Sequence, residues 1–127
     1  SLAIGSRLPA MWTSMGRVLL ASRSDDEVRA AFSVAPPPPT ERAVHDAESL
    51  LDEVRTIRQQ GWCLLDQELE EGIRSVAAPL HDRRGRVVAS INVGTHASRV
   101  TLKHLRGEIL PDLLTTARSI EIQLGKR

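Results

Sequence analysis

The sequence predicts an α+β domain in which helices flank an antiparallel sheet. Two runs rich in β-branched and small apolar residues surround a short polar turn, whereas the segments before and after them repeat apolar residues at helical spacing. The chain has 127 residues, which is enough for one hydrophobic core. Because only 2% of the residues are aromatic, that core must consist mainly of Leu, Ile, Val and Ala.

The first predicted helix follows the stretch LPAMWTSMGR. Thr13 or Ser14 can cap this helix, which then runs to about Ala21. A plain cap is the more common arrangement. In the alternative, the free backbone amides around Ser14, Met15 and Gly16 hold an anion such as a carboxylate, and the glycine lets the ligand approach closely.

Two short segments come next. Ser24 and Glu27 can form a capping box at the start of a short helix, residues 25–32. Four consecutive prolines then occupy residues 36–39. Prolines exclude both a helix and a central strand, so we expect a stiff polyproline connector. A surface loop is the more common role for such a run, and a binding motif for a partner is the alternative.

Helical spacing returns in two longer segments. The first runs from Asp46 to Gly61, and its apolar stripe comprises Leu50, Leu51, Val54 and Ile57. The second begins at Thr101, and its apolar pairs are Leu105 with Ile109, Leu113 with Ala117, and Ile120 with Leu124. Pro111 lies inside the second segment and predicts a kink or a break. This segment finishes with Gly125, Lys126 and Arg127, which are residue types common at the C-terminal end of a helix.

Three strands are predicted between these two segments. The first is WCLLD, after Gly61, the second is IRSVAAPL, after Gly72, and the third is RVVASINVG. The turn HDRRG joins the second strand to the third, which makes these two the best supported hairpin. Three strands form a thin sheet. Either the opening SLAIGSR adds the end of another strand, or the first strands of the sheet lie upstream of this chain.

The third strand has two different faces. Its residues alternate between an apolar set, Val87, Ala89, Ile91 and Val93, and a second set, Val88, Ser90, Asn92 and Gly94. The second face is small and polar towards its end. A solvated surface is the usual interpretation of such a face, and the floor of a ligand pocket is the alternative. Ser75 of the second strand can join Asn92 there, but the sequence leaves the register open.

Composition and motifs argue against several classes of function. Seventeen basic and sixteen acidic residues are interspersed, and the net charge of +1 provides no basic field for nucleic acid. The four histidines and the single Cys63 show no zinc-binding spacing, and no phosphate loop, dinucleotide fingerprint or nucleophile elbow is present. We therefore expect no metal and no cofactor. With no long apolar run, no signal peptide and one cysteine, we predict a cytoplasmic protein without membrane association.

Several stretches together resemble one family. GSRLPAMWTSMGRVLLA, EEGIRSVAAPLHDRRGRVVASINVG, THASRV and LPDLLTTARSIEIQLG resemble, in the same order, the C-terminal effector-binding domain of IclR-type bacterial transcription regulators. LPAMWTSMGRVLLA and INVGTHASRV look most like the subgroup that controls protocatechuate and other β-ketoadipate pathway genes. The matches span nearly the whole chain.

The resemblance implies an architecture and a set of partners. It implies a GAF-like fold, an antiparallel sheet flanked by helices, with a pocket for a small organic acid. Residues 1–127 are then an effector-binding domain that lacks its first strands. The DNA-binding winged helix-turn-helix of the family is expected to be absent from this chain, so that DNA is bound only through that missing N-terminal domain. A homo-oligomer, dimer or tetramer, is implied as well.

The resemblance also carries pocket positions onto this sequence. The candidate ligand-binding residues are Ser14, Met15, Gly16, Leu65, Asp66, Ser75, Asn92 and Gly94. Some members carry an acid at the position of Leu65, whereas here the acid is its neighbour, Asp66. The position of Ser75 is often cysteine in the family. Gly94 is commonly serine, so one hydroxyl contact is lost and some room is gained.

We therefore predict a ligand-sensing domain that is not an enzyme and that binds an aromatic or dicarboxylic acid, such as protocatechuate or β-ketoadipate. The amides of Ser14 and Met15 would hold the carboxylate, and Ser75 and Asn92 would orient its polar groups. A structural oligomerisation domain without a small-molecule ligand is the alternative. A hydrolase in which Ser14 acts as a nucleophile is a third, more distant hypothesis.

Overall fold

The computed structural model describes residues 3–125 and confirms the predicted α+β fold. The helices are α1 (Ser14–Leu20), α2 (Asp25–Ser33), α3 (Ala47–Gln60), α4 (Leu102–His104) and α5 (Leu110–Gly125). The strands are β1 (Cys63–Asp66), β2 (Ile73–His81) and β3 (Val87–His96). A 3-10 turn, Ala10–Trp12, precedes α1, and a π-helical turn, Leu105–Ile109, joins α4 to α5. Within the described residues, no helix combines the length and the apolar character that crossing a bilayer requires.

The three strands form one antiparallel sheet in the order β1-β2-β3. Ser75 lies opposite Leu65 on one side and opposite Gly94 on the other, and Ala77 lies opposite Asn92. Because directly opposed residues share a face, and alternate residues along a strand do so too, Ser75 and Asn92 lie on a common face. The register that the sequence leaves open therefore agrees with the predicted pairing.

Helices cover the sheet on both faces. On one face, Val18 of α1 packs with a cluster of buried residues, Ile57, Cys63, Leu65 and Ala77. On the opposite face, Val76, Ala78 and Leu80 of β2 pack against Leu105, Leu110, Leu113 and Ala117. A third cluster joins α2 and α3 to the turn before α1 and contains Met11, Trp12, Val28, Leu50, Leu51 and Val54. The interior of the described residues thus consists mainly of Leu, Val, Ile and Ala side chains, with Trp12 as its buried aromatic residue, as the composition predicts.

The capping residues predict the helix ends well. The side chain of Ser24 accepts a hydrogen bond from the Glu27 amide at 3.1 Å and the Glu27 carboxylate accepts one from the Ser24 amide, so the capping box is confirmed. Asp46 caps α3 by accepting from the Ser49 amide at 2.8 Å. At its other end, Gly61 has a φ of +82° and donates its amide to the Ile57 carbonyl. Such a left-handed residue is the usual stop after a helix, and glycine adopts it without strain.

Two predictions about irregular segments have clear outcomes. Residues 36–39 form neither helix nor strand, as expected of the polyproline connector. Residues 3–9 also form no strand, so the suggestion that SLAIGSR adds a strand end is wrong for residues 3–7, while Ser1 and Leu2 lie outside the described residues.

The interruption predicted at Pro111 takes the form of a π turn. The chain remains helical through Pro111, the second residue of α5, while the Leu110 amide donates to the carbonyl of Leu105, five residues earlier. Proline has no amide hydrogen and cannot donate to the carbonyl four residues before it, and a single wide turn just upstream lets the helix continue. Gly125 is the last residue of α5, and Lys126 and Arg127 lie outside the described residues.

Candidate functional site

The start of α1 lies over the small, polar side of β2 and β3. The Ser75 hydroxyl donates to the Ser14 hydroxyl at 2.9 Å, and the Ser90 hydroxyl donates to the Met15 carbonyl at 3.3 Å. Ser14 is buried, whereas Asn92 and Gly94 further along the same face are exposed. We call this surface the polar face, and it consists of Ser14, Met15, Ser75, Ser90, Asn92 and Gly94.

The backbone amides at the start of α1 differ in their hydrogen-bond partners. Thr13 is the cap, because its side chain accepts from the Gly16 amide at 3.1 Å and its carbonyl accepts from the Arg17 amide at 3.0 Å. The first amides of a helix have no partner within the helix. The cap uses the amide of Gly16, whereas the amides of Ser14 and Met15 have no hydrogen-bond acceptor among residues 3–125. The helix has only seven residues, so these two amides and the nearby hydroxyls, rather than a long helix dipole, supply the polar character.

Gly16 packs closely against the chain's own backbone. A Cβ at this position would overlap the carbonyl oxygen and Cα of Ala10. The close approach that Gly16 permits is therefore made by the chain's own 3-10 turn, and its amide is already bonded to Thr13. In this structure Gly16 therefore contributes to the packing of α1 against the 3-10 turn.

Leu65 and Asp66 are neighbours that lie on opposite faces of the sheet. Leu65 is buried beneath α1 and extends the floor of the polar face. Asp66 pairs instead with Arg74, whose Nε donates to it at 2.7 Å, and with Arg42 at 3.3 Å. Burial alone would raise the pKa of Asp66, but the hydrogen bonds from Arg74 and Gln67 hold it below its ordinary value of 3.8. The structure does not bring Asp66 together with the other candidate residues.

The surroundings of Ser14 do not suit a nucleophile. Its hydroxyl meets the hydroxyl of Ser75, whereas an activated serine needs a general base such as histidine at hydrogen-bond distance. The nearby Cys63 is not reactive either, because burial raises the pKa of its thiol to about 12. Within residues 3–125, no group of three or more His, Cys, Asp or Glu side chains is arranged to hold a metal ion.

The most conspicuous polar contact near the site involves a residue that sequence patterns did not single out. Arg17, one helical turn after the cap, is fully buried and forms a two-bond ion pair with Glu68. The two residues are 51 positions apart, so no local spacing connects them. The only hint in the sequence is a charged residue directly before the apolar run VLLA.

Comparison with known proteins identifies the family. A family model described as "Bacterial transcriptional regulator IclR C-terminal" matches residues 1–122. The chain belongs to the IclR family. This confirms the resemblance seen in the sequence, and it places the chain among transcription regulators rather than enzymes.

Individual relatives confirm the subgroup as well. This IclR-family chain is 47% identical, over 124 residues, to the Pca regulon regulatory protein of Pseudomonas putida, an alignment that covers 97% of this chain and 43% of that protein. Among solved structures, the transcriptional regulator RHA06195 of Rhodococcus sp. RHA1 superposes with a TM-score of 0.91 and 43% identity, covering 98% of this chain and 51% of the other.

A ligand-bound relative is also similar. The inducer-binding domain of the PobR transcription factor from Acinetobacter, a double mutant in complex with 3-hydroxybenzoic acid, matches with a TM-score of 0.87 and 29% identity over 92% of this chain and 67% of that one. The chain spans less than half the length of the curated relatives that it matches.

Proposed function

We propose that this domain senses a small aromatic or dicarboxylic acid of the protocatechuate or β-ketoadipate type and so regulates transcription. The observation that supports this most directly is the contact between Ser14 and Ser75, which brings free amides, hydroxyls and the side chain of Asn92 to one face of the sheet. The names of the relatives agree with it, since one regulates a Pca regulon and another is solved with 3-hydroxybenzoic acid.

The binding chemistry follows from the residues of the polar face. The amides of Ser14 and Met15 donate to the carboxylate of the acid, and hydrogen bonds to an ionised acceptor are about twice as strong as neutral ones. The hydroxyl of Ser75 and the amide of Asn92 orient the remaining polar groups, and buried Leu65 provides an apolar floor. Gly94, with no atom within 4 Å of a Cβ placed on it, leaves room for the ring or chain of the acid.

The remaining parts of the proposal concern the full-length protein. Because the relatives are about twice as long, we propose that residues 1–127 are the effector-binding part of a longer chain whose winged helix-turn-helix binds DNA in the cytoplasm. The acid changes DNA binding or promoter activity only if it binds the two arrangements of the protein with different affinity.

Thermal and chemical unfolding in the presence of candidate acids tests the proposed function. At a concentration about one hundred times Kd, a bound acid raises the free energy of unfolding by about 2.7 kcal/mol. We expect this with at least one of protocatechuate, β-ketoadipate and 3-hydroxybenzoate, and not with the corresponding neutral amides. No stabilisation by any of the acids at millimolar concentration would contradict the proposal.

A structural oligomerisation domain is the second candidate. The observation in its favour is that Ile122 and Leu124 on α5 remain exposed, which is typical of a surface that contacts a partner. We expect a homo-oligomer under either function. Light scattering that shows the same oligomer with and without acid, together with no acid binding, would favour the second candidate.

A further inference from the structure

A buried cation, the guanidinium of Arg17, lies on the same helix as Ser14 without being part of the polar face. The side chain of Arg17 is 0% exposed. Its Nε donates to the carbonyl oxygen of Met11 at 2.7 Å, and its two terminal nitrogens donate to the Glu68 carboxylate at 3.0 and 2.6 Å. Arg17 therefore ties α1 both to the turn before it and to the loop between β1 and β2.

Glu68 is in turn held by the segment after the prolines. Its Oε1 accepts a hydrogen bond from the Val44 amide at 3.2 Å. The Thr40 hydroxyl donates to the carbonyl oxygens of Gln67 and Glu68 at 2.8 and 2.9 Å. Gln67 itself has a φ of +62°, a conformation uncommon for a residue other than glycine. These contacts fix the position of the Glu68 carboxylate, which accepts the hydrogen bonds from Arg17.

A buried arginine–carboxylate pair fixes the relative orientation of two segments more than it stabilises the fold. Removing two charges from water costs free energy, and a well-packed apolar pair of similar volume is often as stable or more so. An arginine that donates two parallel bonds to a carboxylate, however, fixes the relative orientation of the segments that carry the two residues. Here those segments are α1 and the loop at the end of β1. Ser14 lies less than one turn from Arg17 on the same short helix, so the pair also sets how Ser14 meets Ser75.

We propose that Arg17 and Glu68 form the positioning element of the acid site. They hold the start of α1 against the sheet, and they set the affinity for the acid without contacting it. Through Thr40 and Val44, this positioning extends to the segment that follows the polyproline connector. The inference rests on the proposed function, since it assigns the pair a role in that same site.

A double substitution separates positioning from stability. In the variant Arg17→Met/Glu68→Met no buried charge lacks its partner, so we expect its urea midpoint to fall less than that of Glu68→Gln, which leaves the Arg17 charge unpaired. The bonds to the Met11 carbonyl and the Val44 amide are lost, and the Kd for the acid should rise about tenfold by calorimetry. The single variant Glu68→Gln keeps the shape of the side chain and is expected to weaken acid binding in the same direction.

The matched control is Glu48→Gln. Glu48 pairs with Arg29 at 3.1 Å on the surface of α2 and α3, where both side chains are largely exposed. We expect neither the Kd nor the urea midpoint of this variant to change. Wild-type Kd values in Glu68→Gln and in a folded double variant would overturn the positioning role. If one of these two variants does not fold, the Kd of the other decides alone.

Hydrogen exchange distinguishes failure of this inference from failure of the proposed function. If the wild type binds none of the acids, the proposed function is wrong. The positioning role of Arg17 and Glu68 is then tested by hydrogen exchange of the ligand-free protein. We expect the amides of α1 and of residues 66–72 to exchange faster in Glu68→Gln than in Glu48→Gln, because the contact that orders them is weakened. Equal exchange in the two variants would overturn the positioning role.

Discussion

Thr13 determines which donors the start of α1 presents. Its side chain caps the helix through the Gly16 amide, and this leaves the Ser14 hydroxyl free to meet Ser75. Thr13 and Ser14 are both good capping residues, so the sequence alone predicts a cap without deciding between them. The choice depends on the position of β2, which places the Ser75 hydroxyl beside Ser14 and leaves Thr13 to cap the helix.

Gly16→Ala tests the packing behind the site. The new Cβ would overlap the backbone of Ala10, so we expect a loss of about 1–3 kcal/mol in the free energy of unfolding, as for overpacked cores. Gly107→Ala is the matched control, because a Cβ there meets no atom within 4 Å and alanine favours the helical conformation. Urea denaturation of both variants makes the measurement. Equal stability of the two would show that Ala10 does not restrict position 16.

Arg17 shows why sequence patterns do not reveal every residue that contributes to a site. The glycine and the serine of TSMG are visible as candidates because their conformational and capping preferences are local properties. The role of Arg17 depends on a carboxylate 51 positions away, and that of Gly16 depends on a 3-10 turn that the sequence did not predict. Both partners become adjacent only after the chain has folded.

At the scale of elements, α1 is held at both ends. Arg17 secures its first turn, and Arg58 of α3 secures its last. The Nε and Nη2 atoms of Arg58 donate to the carbonyls of Ala21 and Arg23 at 3.0 and 2.7 Å, and Nη1 donates to the Asp25 carboxylate at 2.6 Å. Basic side chains often bind the free carbonyls at a helix end. A short helix that could not persist alone is thereby fixed over the sheet.

Asp25 gives this arrangement a dependence on pH. The hydrogen bond from Arg58, followed by that from Arg55, lowers the pKa of Asp25 below its ordinary value of 3.8. A group whose pKa is lowered on folding stabilises the fold fully above its unfolded pKa, and this stabilisation is lost as the pH falls through the folded pKa. Asp25→Asn should therefore be less stable than the wild type near neutral pH, and the difference should shrink at pH values below about 3.8.

Urea midpoints of both proteins across that range provide the measurement. A difference between wild type and Asp25→Asn that stays constant from neutral to strongly acidic pH would contradict the assignment.

The sequence predicts which segments are helices and which are strands, but it predicts few of the contacts between them. Capping residues and β-branched runs identify helices and strands because those preferences act within a few positions. For Pro111 the sequence predicts a kink or a break, and the structure has a π turn just before it. A proline shows that one backbone hydrogen bond of the helix is lost, but it does not show how the neighbouring turn adjusts. The position of Asp66 follows from alternation along β1 once Leu65 is known to face α1.

At the scale of the whole molecule, the sheet separates two environments. One face packs against α5 through an apolar cluster, and the other carries α1 and the polar face. The fold class and the shared face of Ser75 and Asn92 could be predicted, because alternation along the strands and a short hairpin turn constrain them. The exposure of Asn92 and Gly94 could not be predicted, because it depends on which elements cover the outer side of β3.

The central claim is that an acid binds at the polar face, and amide chemical shifts during an acid titration test it most directly. The isotope-labelled protein is titrated with protocatechuate and, in parallel, with its neutral amide. We predict that the largest shift changes occur at Ser14, Met15, Ser75 and Asn92, and that they saturate only with the acid. Saturable changes confined to α5, or none at millimolar acid, would contradict the account.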